Sequence, residues 1–290
     1  MLAPQRATIA AAKRLAAMHN IWFISNIGSG TTTSAKGEAL RALFAEHGVN
    51  IVGETDFPEQ AIPDAATLDE ARADTVVLFA GDGTINAAAC KLAEWQGALL
   101  ILPGGTMNLL AKALHGNADP AEIVKAAHAG GERIAMPFVE AGPHRAFVGL
   151  ILGPAGNWAR AREAVRAGQL RALLRALALA WRRTFGRGVR VTGAAGLPRE
   201  SQALFIQADR QRLKVAAIDA RDWRSIATLG WEWLTGDWVA ASAVREVRAR
   251  TLRIAERRPV LALFDGEPVM LDGDQMIGAG LTERQFIRTV

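Results

Sequence analysis

The sequence has very little cysteine and no long apolar run, and both shortages narrow the class of protein. Cys90 is the single cysteine among the 290 residues. We therefore expect a reducing compartment, no disulfide within the chain and no metal site built from several cysteines. No window of about 18 or more uncharged apolar residues is present, so no transmembrane helix is expected. Arg6, Lys13 and Arg14 interrupt the apolar start of the chain, which is atypical of a secretory signal peptide.

The sequence is rich in apolar residues and carries an excess of positive charge. Hydrophobic residues make up 50% of the chain, which argues against disorder. The length favours two domains or one large one. The net charge of +5 and the pI of about 10.0 indicate a basic surface. Such a surface suits nucleic acid, anionic lipid or phosphorylated substrates, and the charge alone does not choose among them.

The most informative stretch is Thr75–Glu94, where an apolar run is followed by Gly81-Asp82-Gly83 and by a helical pattern from about Ile85. A strand, a glycine turn and a helix start direct backbone N–H groups at one point, which is a common phosphate site. Asp82 puts a carboxylate where an anion should bind, and a Mg²⁺ ion between the two would explain it. Taken alone, the stretch is equally compatible with an ordinary turn in which Asp82 caps the helix.

Two further strand–loop–helix units accompany this stretch. The apolar run Ile21–Ile24 precedes a loop rich in glycine and hydroxyl groups, and Ala98–Leu102 precedes Pro103–Thr106. Strands that alternate with helices predict a doubly wound parallel sheet, an α/β fold. Ligands bind such sheets beyond the carboxyl ends of the strands. Three loops of this kind therefore predict a nucleotide site more strongly than one.

The pattern changes after about residue 135 to short strands with turns of Gly, Asp and Pro, which predicts a mostly β second domain. We expect an α/β domain over 1–135 and a β-sandwich over 136–290, with the last strand a candidate for return to the first domain. A basic, tryptophan-bearing helix is predicted over about 157–187. It suits either a membrane interface or a cover for the β domain with a solvated arginine face.

Two Asp-Gly pairs lie near the end of the chain. Such pairs usually mark hairpin turns, and Asp272-Gly273 is assigned that role. Asp265 differs because Glu267 follows two residues later. A pair of carboxylates at a strand end can deprotonate a hydroxyl group or hold a metal ion.

Four motifs together resemble the diacylglycerol-kinase catalytic family of lipid kinases, which includes bacterial lipid kinases, sphingosine kinases and ceramide kinases. The resemblance spans nearly the whole chain, and its two middle motifs are the specific ones. The motifs are Asn26-Ile27-Gly28-Ser29-Gly30, Ala80-Gly81-Asp82-Gly83-Thr84, Leu102-Pro103-Gly104-Gly105-Thr106-Met107-Asn108 and Asp265-Gly266-Glu267.

The resemblance implies a nucleotide domain and a C-terminal β-sandwich with the active site in the cleft between them. It implies ATP and Mg²⁺, with Asp82 at the metal and transfer of the γ-phosphate to a lipid hydroxyl. Asp265 or Glu267 would be the base, and we favour Asp265, oriented by Glu267. The residues expected to line the nucleotide are Asn26, Ser29, Gly30, Thr55, Gly81, Asp82, Gly83, Thr84, Asn86, Gly105, Thr106 and Asn108.

The resemblance leaves the acceptor lipid open. Diacylglycerol, ceramide and sphingoid bases each offer a primary hydroxyl. We expect a cytoplasmic protein that contacts the inner membrane surface transiently, through the basic helix if it lies at the interface, and that binds no nucleic acid. The alternatives are a kinase of soluble nucleotides similar to NAD kinase, and a non-catalytic protein that binds lipid or nucleotide.

The sequence departs from the family pattern in three respects. Ala80 replaces a glycine, which is a mild change if its φ is negative. Leu109 and Leu110 replace a frequent Asp-Phe pair. Basic residues crowd Asp209–Lys214, the stretch nearest to a structural Mg²⁺ motif of the family, so we do not expect that metal site.

Overall fold

The computed structural model describes residues 18–27, 32–153, 188–218 and 244–290. These residues form two compact units. The first contains the described part of Met1–Gly81, together with Lys91–Ala135 and Glu283–Val290. The second contains Asp82–Cys90 and the described part of Met136–Thr282. The predicted helix over 157–187 and the motif residues Ser29 and Gly30 lie outside the described residues.

The first part of the chain alternates between strands and helices. Its elements are β1 (Asn20–Ser25), α1 (Ser34–Glu46), β2 (Asn50–Asp56), α2 (Ala65–Glu70), β3 (Thr75–Ala80), α3 (Asp82–Lys91), β4 (Ala98–Pro103), α4 (Leu109–His115) and α5 (Pro120–Gly130). The remainder is made of strands. They are β5 (Glu132–Ala141), β6 (His144–Ala146), β7 (Leu150–Leu152), β8 (Val191–Thr192), β9 (Ala203–Asp209), β10 (Arg212–Ile218), β11 (Val244–Ala249), β12 (Leu252–Ile254), β13 (Val260–Phe264), β14 (Glu267–Leu271) and β15 (Met276–Arg288).

Local sequence signals set the starts of several helices. Thr33 and Asp64 precede α1 and α2, and each side chain accepts a hydrogen bond from a backbone N–H in the first turn. Asp119 and Glu122 form a reciprocal capping box at α5, with Pro120 at its first position. These side chains satisfy N–H groups that the helix itself leaves unpaired, which fixes each starting point.

The first unit is built on a parallel sheet in the order β2-β1-β3-β4, with the end of β15 beside β4. All six residues of β3 are buried, as expected for a central parallel strand covered on both faces. Side chains from α1 and α5 pack on one face, among them Phe44 and Val124. The strand order reverses between β1 and β3, and ligands of open α/β sheets bind at such a point.

The second unit contains a six-stranded antiparallel sheet in the order β11-β10-β9-β7-β13-β14. One face of this sheet packs against side chains of β5, β6, β12 and β15, including Val139 and Ile277. Alternate residues of its strands, such as Leu204 and Ile206, are fully buried. The unit is therefore a sandwich with an apolar interior, and the predicted fold class is confirmed.

Two local predictions were wrong. α3 begins at Asp82 rather than near Ile85, because Asp82 suits a helix N-terminus and Gly83 takes helical backbone angles. Asp272-Gly273 is not a hairpin turn, since β14 and β15 pair with different strands. The tight turn lies instead at Asp265-Gly266, between the paired strands β13 and β14.

Candidate active site

Three loops of the first unit meet at the carboxyl ends of its strands. The Asn26 N–H, just after β1, donates to the Phe79 carbonyl of β3 at 3.3 Å. The Gly104 N–H, just after β4, donates to the Ala80 carbonyl at 3.1 Å. The Thr32 hydroxyl donates to the Gly104 carbonyl at 2.8 Å. The segment that follows β1 is thus hydrogen-bonded to the end of β3 and to the loop that follows β4.

Glycine is required at position 104 because the backbone there lies close to Thr32 and Ala80. A methyl group at that position would lie 2.6 Å from Oγ1 of Thr32 and 2.8 Å from the backbone nitrogen of Ala80. Ala80 is fully buried at the end of β3, and it is not among the residues with positive φ. Its backbone therefore needs no glycine, which explains why this departure from the family pattern is accommodated.

The other nucleotide candidates of the first unit lie at the ends of β2, β3 and β4. Thr55 is buried in β2, and its hydroxyl accepts a hydrogen bond from the Trp22 indole at 2.9 Å. Gly81 follows β3 directly. Asn108 has a left-handed backbone with φ of 53°, and its side chain accepts from the Gly105 N–H at 2.6 Å. Thr106, between them, is exposed.

The start of α3 holds the Gly-Asp-Gly-Thr motif. Asp82 and Thr84 are buried, with relative exposures of 7% and 8%, and both side chains belong to the first turn of the helix. The N–H groups of a first helical turn have no partner within the helix and attract anions. This turn of the second unit therefore combines a buried carboxylate with an anion-binding helix end.

The Glu267 carboxylate lies against this first turn. A methyl group on Gly83 would be 2.7 Å from Oε1 of Glu267 and 3.0 Å from its carboxyl carbon. Gly83 is not among the positive-φ glycines, so its backbone does not demand glycine. The space it leaves is the space that Glu267 occupies.

Asp265 has different surroundings. Its side chain is buried, and its Oδ2 accepts hydrogen bonds from the Phe147 N–H at 2.8 Å and from the Asn86 amide at 3.1 Å. Its Oδ1 accepts from the N–H groups of Val148 at 2.8 Å and Gly149 at 3.0 Å. Burial raises the pKa of the Asp265 carboxyl, and these four hydrogen bonds act against that rise.

Asn86 connects α3 to the Asp265 carboxylate. Besides donating to Asp265, its amide donates to the Arg145 carbonyl at 2.8 Å. The sequence placed Asn86 among the residues that line the nucleotide. The structure brings it together with Asp265 in the second unit, and Gly83 with Glu267 in the same unit.

The described residues of this site can supply one carboxylate ligand for Mg²⁺, that of Asp82. No group of three His, Cys, Asp or Glu side chains suited to a metal occurs within the described ranges. Mg²⁺ is typically held by one or two carboxylates together with substrate phosphates and water, and the buried Asp82 can supply one of these carboxylates. Asp209, in the stretch nearest to the structural metal motif, lies 3.8 Å from the Arg248 guanidinium.

Comparison with known protein families adds an independent observation. Residues 20–138 match the model of the diacylglycerol kinase catalytic domain. The resemblance drawn from the motifs is thereby confirmed. It includes every motif residue from Asn26 to Asn108 and ends before the Asp265-Gly266-Glu267 turn.

Solved structures show the same fold at low identity. A diacylglycerol kinase from Bacillus anthracis str. Sterne has a TM-score of 0.59 at 14% identity, over 97% of this chain and 100% of that chain. A protein of the same strain, described provisionally as a diacylglycerol kinase, has a TM-score of 0.62 at 17% identity with the same coverage. No curated protein matches the chain in sequence.

Sequence reasoning missed part of the arrangement around Asp265 and Gly104. The N–H groups of Phe147, Val148 and Gly149 are main-chain donors, so no residue type could mark them. Thr32 belonged to a loop already noted for its hydroxyl groups, but nothing distinguished it from its neighbours Thr31 and Thr33. Its role depends on the position of Gly104, which is far away in the sequence.

Proposed function

We propose that this protein is an ATP-dependent lipid kinase that transfers the γ-phosphate of ATP to the primary hydroxyl of a neutral lipid. The observation that carries the proposal is the Glu267 carboxylate against Gly83, in the first turn of α3. It combines a proton acceptor with an anion-binding helix end. The kinase-domain match over residues 20–138 supports the same chemistry.

ATP would use the loops at the carboxyl ends of β1, β3 and β4. Phosphoryl transfer depends mainly on positioning and charge neutralisation. Backbone N–H groups of the glycine loops supply donors for the phosphates. The residues assigned to nucleotide binding remain those listed from the resemblance, from Asn26 to Asn108. Asp82 would hold Mg²⁺, which supplies charge neutralisation on the phosphates when bound.

We propose Glu267 as the proton acceptor. A hydroxyl group is a weak nucleophile at neutral pH, so a carboxylate within reach should take its proton during the transfer. The lipid oxygen forms a bond to the γ-phosphorus, and the bond from that phosphorus to the bridging oxygen breaks. The bond's electron pair leaves with ADP, and the hydroxyl proton passes to the Glu267 carboxylate.

The lipid would bind to the β-rich second unit. Diacylglycerol, ceramide and sphingoid bases all remain acceptors under this proposal. We further propose that the protein acts as a peripheral protein at the cytoplasmic surface of the membrane. No helix in the described part of the chain is long and apolar enough to span a bilayer.

An arginine cluster of the second unit supports contact with an anionic membrane surface. Arg210, Arg212, Arg248 and Arg250 are exposed at the end of the β9–β10 hairpin and the neighbouring strand β11. Arg248 lies 3.8 Å from Asp209, whereas the other three have no ion pair with any residue in the described ranges. Each basic side chain near an anionic surface contributes about 1 kcal/mol to binding.

A labelled-phosphate assay tests the function. Labelled ATP and Mg²⁺ are incubated with the protein and, separately, with diacylglycerol, monoacylglycerol, ceramide, sphingosine or NAD. We expect a labelled lipid. Labelled NADP without any labelled lipid would favour the soluble-nucleotide kinase, and no labelled product from any acceptor would favour a binding protein.

Two variants test the assignment of Glu267 in the same assay. Glu267→Gln removes the proton acceptor, so we expect kcat to fall at least 100-fold, at the lower end of the effects of general bases. Gly83→Ala should lower kcat by displacing the Glu267 carboxylate. Gly37→Ala is the matched control, because a methyl group there meets only the mobile end of Arg41 at 3.2 Å. Wild-type kcat in Glu267→Gln would refute the assignment.

A further inference from the structure

We propose that Asp265 is a positioning residue, whose carboxylate fixes the main chain of Phe147–Gly149 and the Asn86 amide so that Glu267 keeps its place against Gly83. This inference rests on the proposed function, in which Glu267 accepts the proton. It reverses the order of roles favoured from the sequence, where Asp265 was the base and Glu267 oriented it.

The first argument is that protein donors fill the acceptor positions of Asp265. A carboxylate offers about four lone-pair positions on its two oxygens. The Asp265 oxygens accept four hydrogen bonds, two on each oxygen, with lengths of 2.8 to 3.1 Å. A lipid hydroxyl would have to displace one of these buried donors to reach the carboxylate. Displacing a buried N–H would leave it without a hydrogen-bond partner, which is unfavourable in the protein interior.

The second argument is the geometry of the turn. Asp265 and Gly266 have φ of 48° and 90° and form the two-residue connection between the paired residues Phe264 and Glu267. Two positive φ values identify a type I′ turn, which is tight and has little conformational freedom. The Asp265 N–H also donates to the Gly149 carbonyl at 3.1 Å. Holding Asp265 by both its main chain and its side chain therefore fixes the start of β14, where Glu267 lies.

The third argument is that the same helix touches both carboxylates. Gly83 lies in the first turn of α3 and borders Glu267. Asn86, three residues later, donates to Asp265 and to the Arg145 carbonyl. The Asn86 amide thus sets the position of α3 relative to the turn. Losing that amide should disturb Glu267 without removing any ionisable group.

The pH dependence of kcat separates a positioning role from a base. We expect Asp265→Asn to lower kcat about tenfold or more, since it turns one acceptor into a donor that faces N–H groups. On the acid side of the pH profile (the acid limb), the remaining kcat should fall with the same midpoint pH as in the wild type. Asn86→Ala should lower kcat by a similar factor, with the same midpoint. Asn50→Ala, which removes an exposed amide donor to Asn20 in the first unit, is the matched control and should leave kcat unchanged.

A base role for Asp265 predicts different outcomes. Asp265→Asn would abolish the acid limb. Asn86→Ala would move the limb to higher pH, because the lost donor favours the ionised carboxylate. Either result, in a wild type that phosphorylates lipid, would overturn the positioning role and leave the proposed function standing.

Amide hydrogen exchange gives a readout that needs no turnover. We expect the N–H groups of Phe147, Val148 and Gly149 to exchange faster in Asp265→Asn than in the wild type, and that of Phe147 to exchange faster in Asn86→Ala. Unchanged exchange at all three positions would refute the positioning role. If the wild type labelled no lipid, the proposed function would fail, while the exchange rates would still decide whether Asp265 holds this segment.

Discussion

At the scale of single residues, Asp265 and Glu267 show how two nearby carboxylates take different roles. They are two positions apart, yet one accepts hydrogen bonds from three main-chain N–H groups and an amide, and the other lies at a helix start. Their surroundings come from segments more than a hundred residues away in the sequence. The chemical difference between them is therefore set by the fold.

His115 offers a test of stability at the same scale. Its side chain is buried at the end of α4, Nδ1 lies 3.0 Å from the Thr289 hydroxyl, and Nε2 has no hydrogen-bond partner within the described chain. Burial lowers the pKa of His115 to about 4 from its usual 6.5. The unfolded chain therefore binds a proton that the folded chain excludes between these two values.

The sign of the pH effect follows from that lowered pKa. The stabilising contribution of neutral His115 is complete above about pH 6.5 and is lost as the pH falls towards 4, by at most about 3 kcal/mol. We expect urea unfolding of His115→Gln to depend less on pH over this range than that of the wild type. His19→Gln, at an exposed position, is the control. Equal pH dependence in His115→Gln and the wild type would contradict the prediction.

Residue identity predicted part of the site. Asp82, Gly83 and Glu267 were named from motifs, because carboxylates and glycines at helix starts and strand ends indicate phosphate chemistry. The reason for Gly83 could not be predicted. Motif reasoning attributes such a glycine to backbone conformation or to phosphate approach, whereas here its missing side chain leaves room for Glu267. That requirement involves a residue of strand β14, which is far from Gly83 in the sequence.

At the scale of elements, the strands and helices of the first unit agree closely with those predicted from the sequence. Predicted runs at Ile21–Ile24 and Ala98–Leu102 lie within β1 and β4, since continuous apolar runs suit strands buried on both faces. The second unit was harder to predict. The sequence pattern predicts one short strand over Val247–Ile254, but this stretch divides into β11 and β12, which belong to different sheets. Hydrophobic alternation identifies a strand but does not say which strand it pairs with.

The β13–β14 hairpin gives a prediction at this scale. Gly266 has φ of 90°, and a methyl group there would meet no atom within 4 Å. We therefore expect Gly266→Ala to lower the free energy of unfolding by about 1 kcal/mol through backbone strain alone. Gly266→Asn should cost less, because Asn adopts positive φ more readily than Ala. Urea unfolding of the two variants checks this order, and an equal or larger loss for Gly266→Asn would contradict it.

At the scale of the whole molecule, the charge distribution bears on membrane contact. The net charge of +5 does not say where the charge lies. The pairing of β9, β10 and β11 brings the four exposed arginines of the cluster to one end of a sheet. A cluster of this kind attracts an anionic surface, and the attraction weakens as salt is added.

Vesicle co-sedimentation tests this cluster. Arg212→Ala combined with Arg250→Ala should weaken binding to phosphatidylglycerol vesicles about thirtyfold, since two basic side chains contribute about 2 kcal/mol. Arg257→Ala with Arg258→Ala, also exposed in the second unit, is the charge-matched control and should bind nearly as well as the wild type. Equal losses in both double variants would show that only the overall charge matters. Activity on detergent-dispersed lipid should be the same in both.

The sequence by itself determined the α/β and β-rich organisation, the three glycine loops and the family resemblance, because local residue patterns encode strands, turns and helix starts. The tertiary structure decided the surroundings of each candidate residue. The strand order brought Asn26 beside Phe79 and Thr32 beside Gly104 in the first unit. The hairpin at Asp265-Gly266 packed against Asn86 and the main chain of residues 147–149 in the second. Hydrogen bonds between segments far apart in the chain depend on packing, and residue types alone do not specify them.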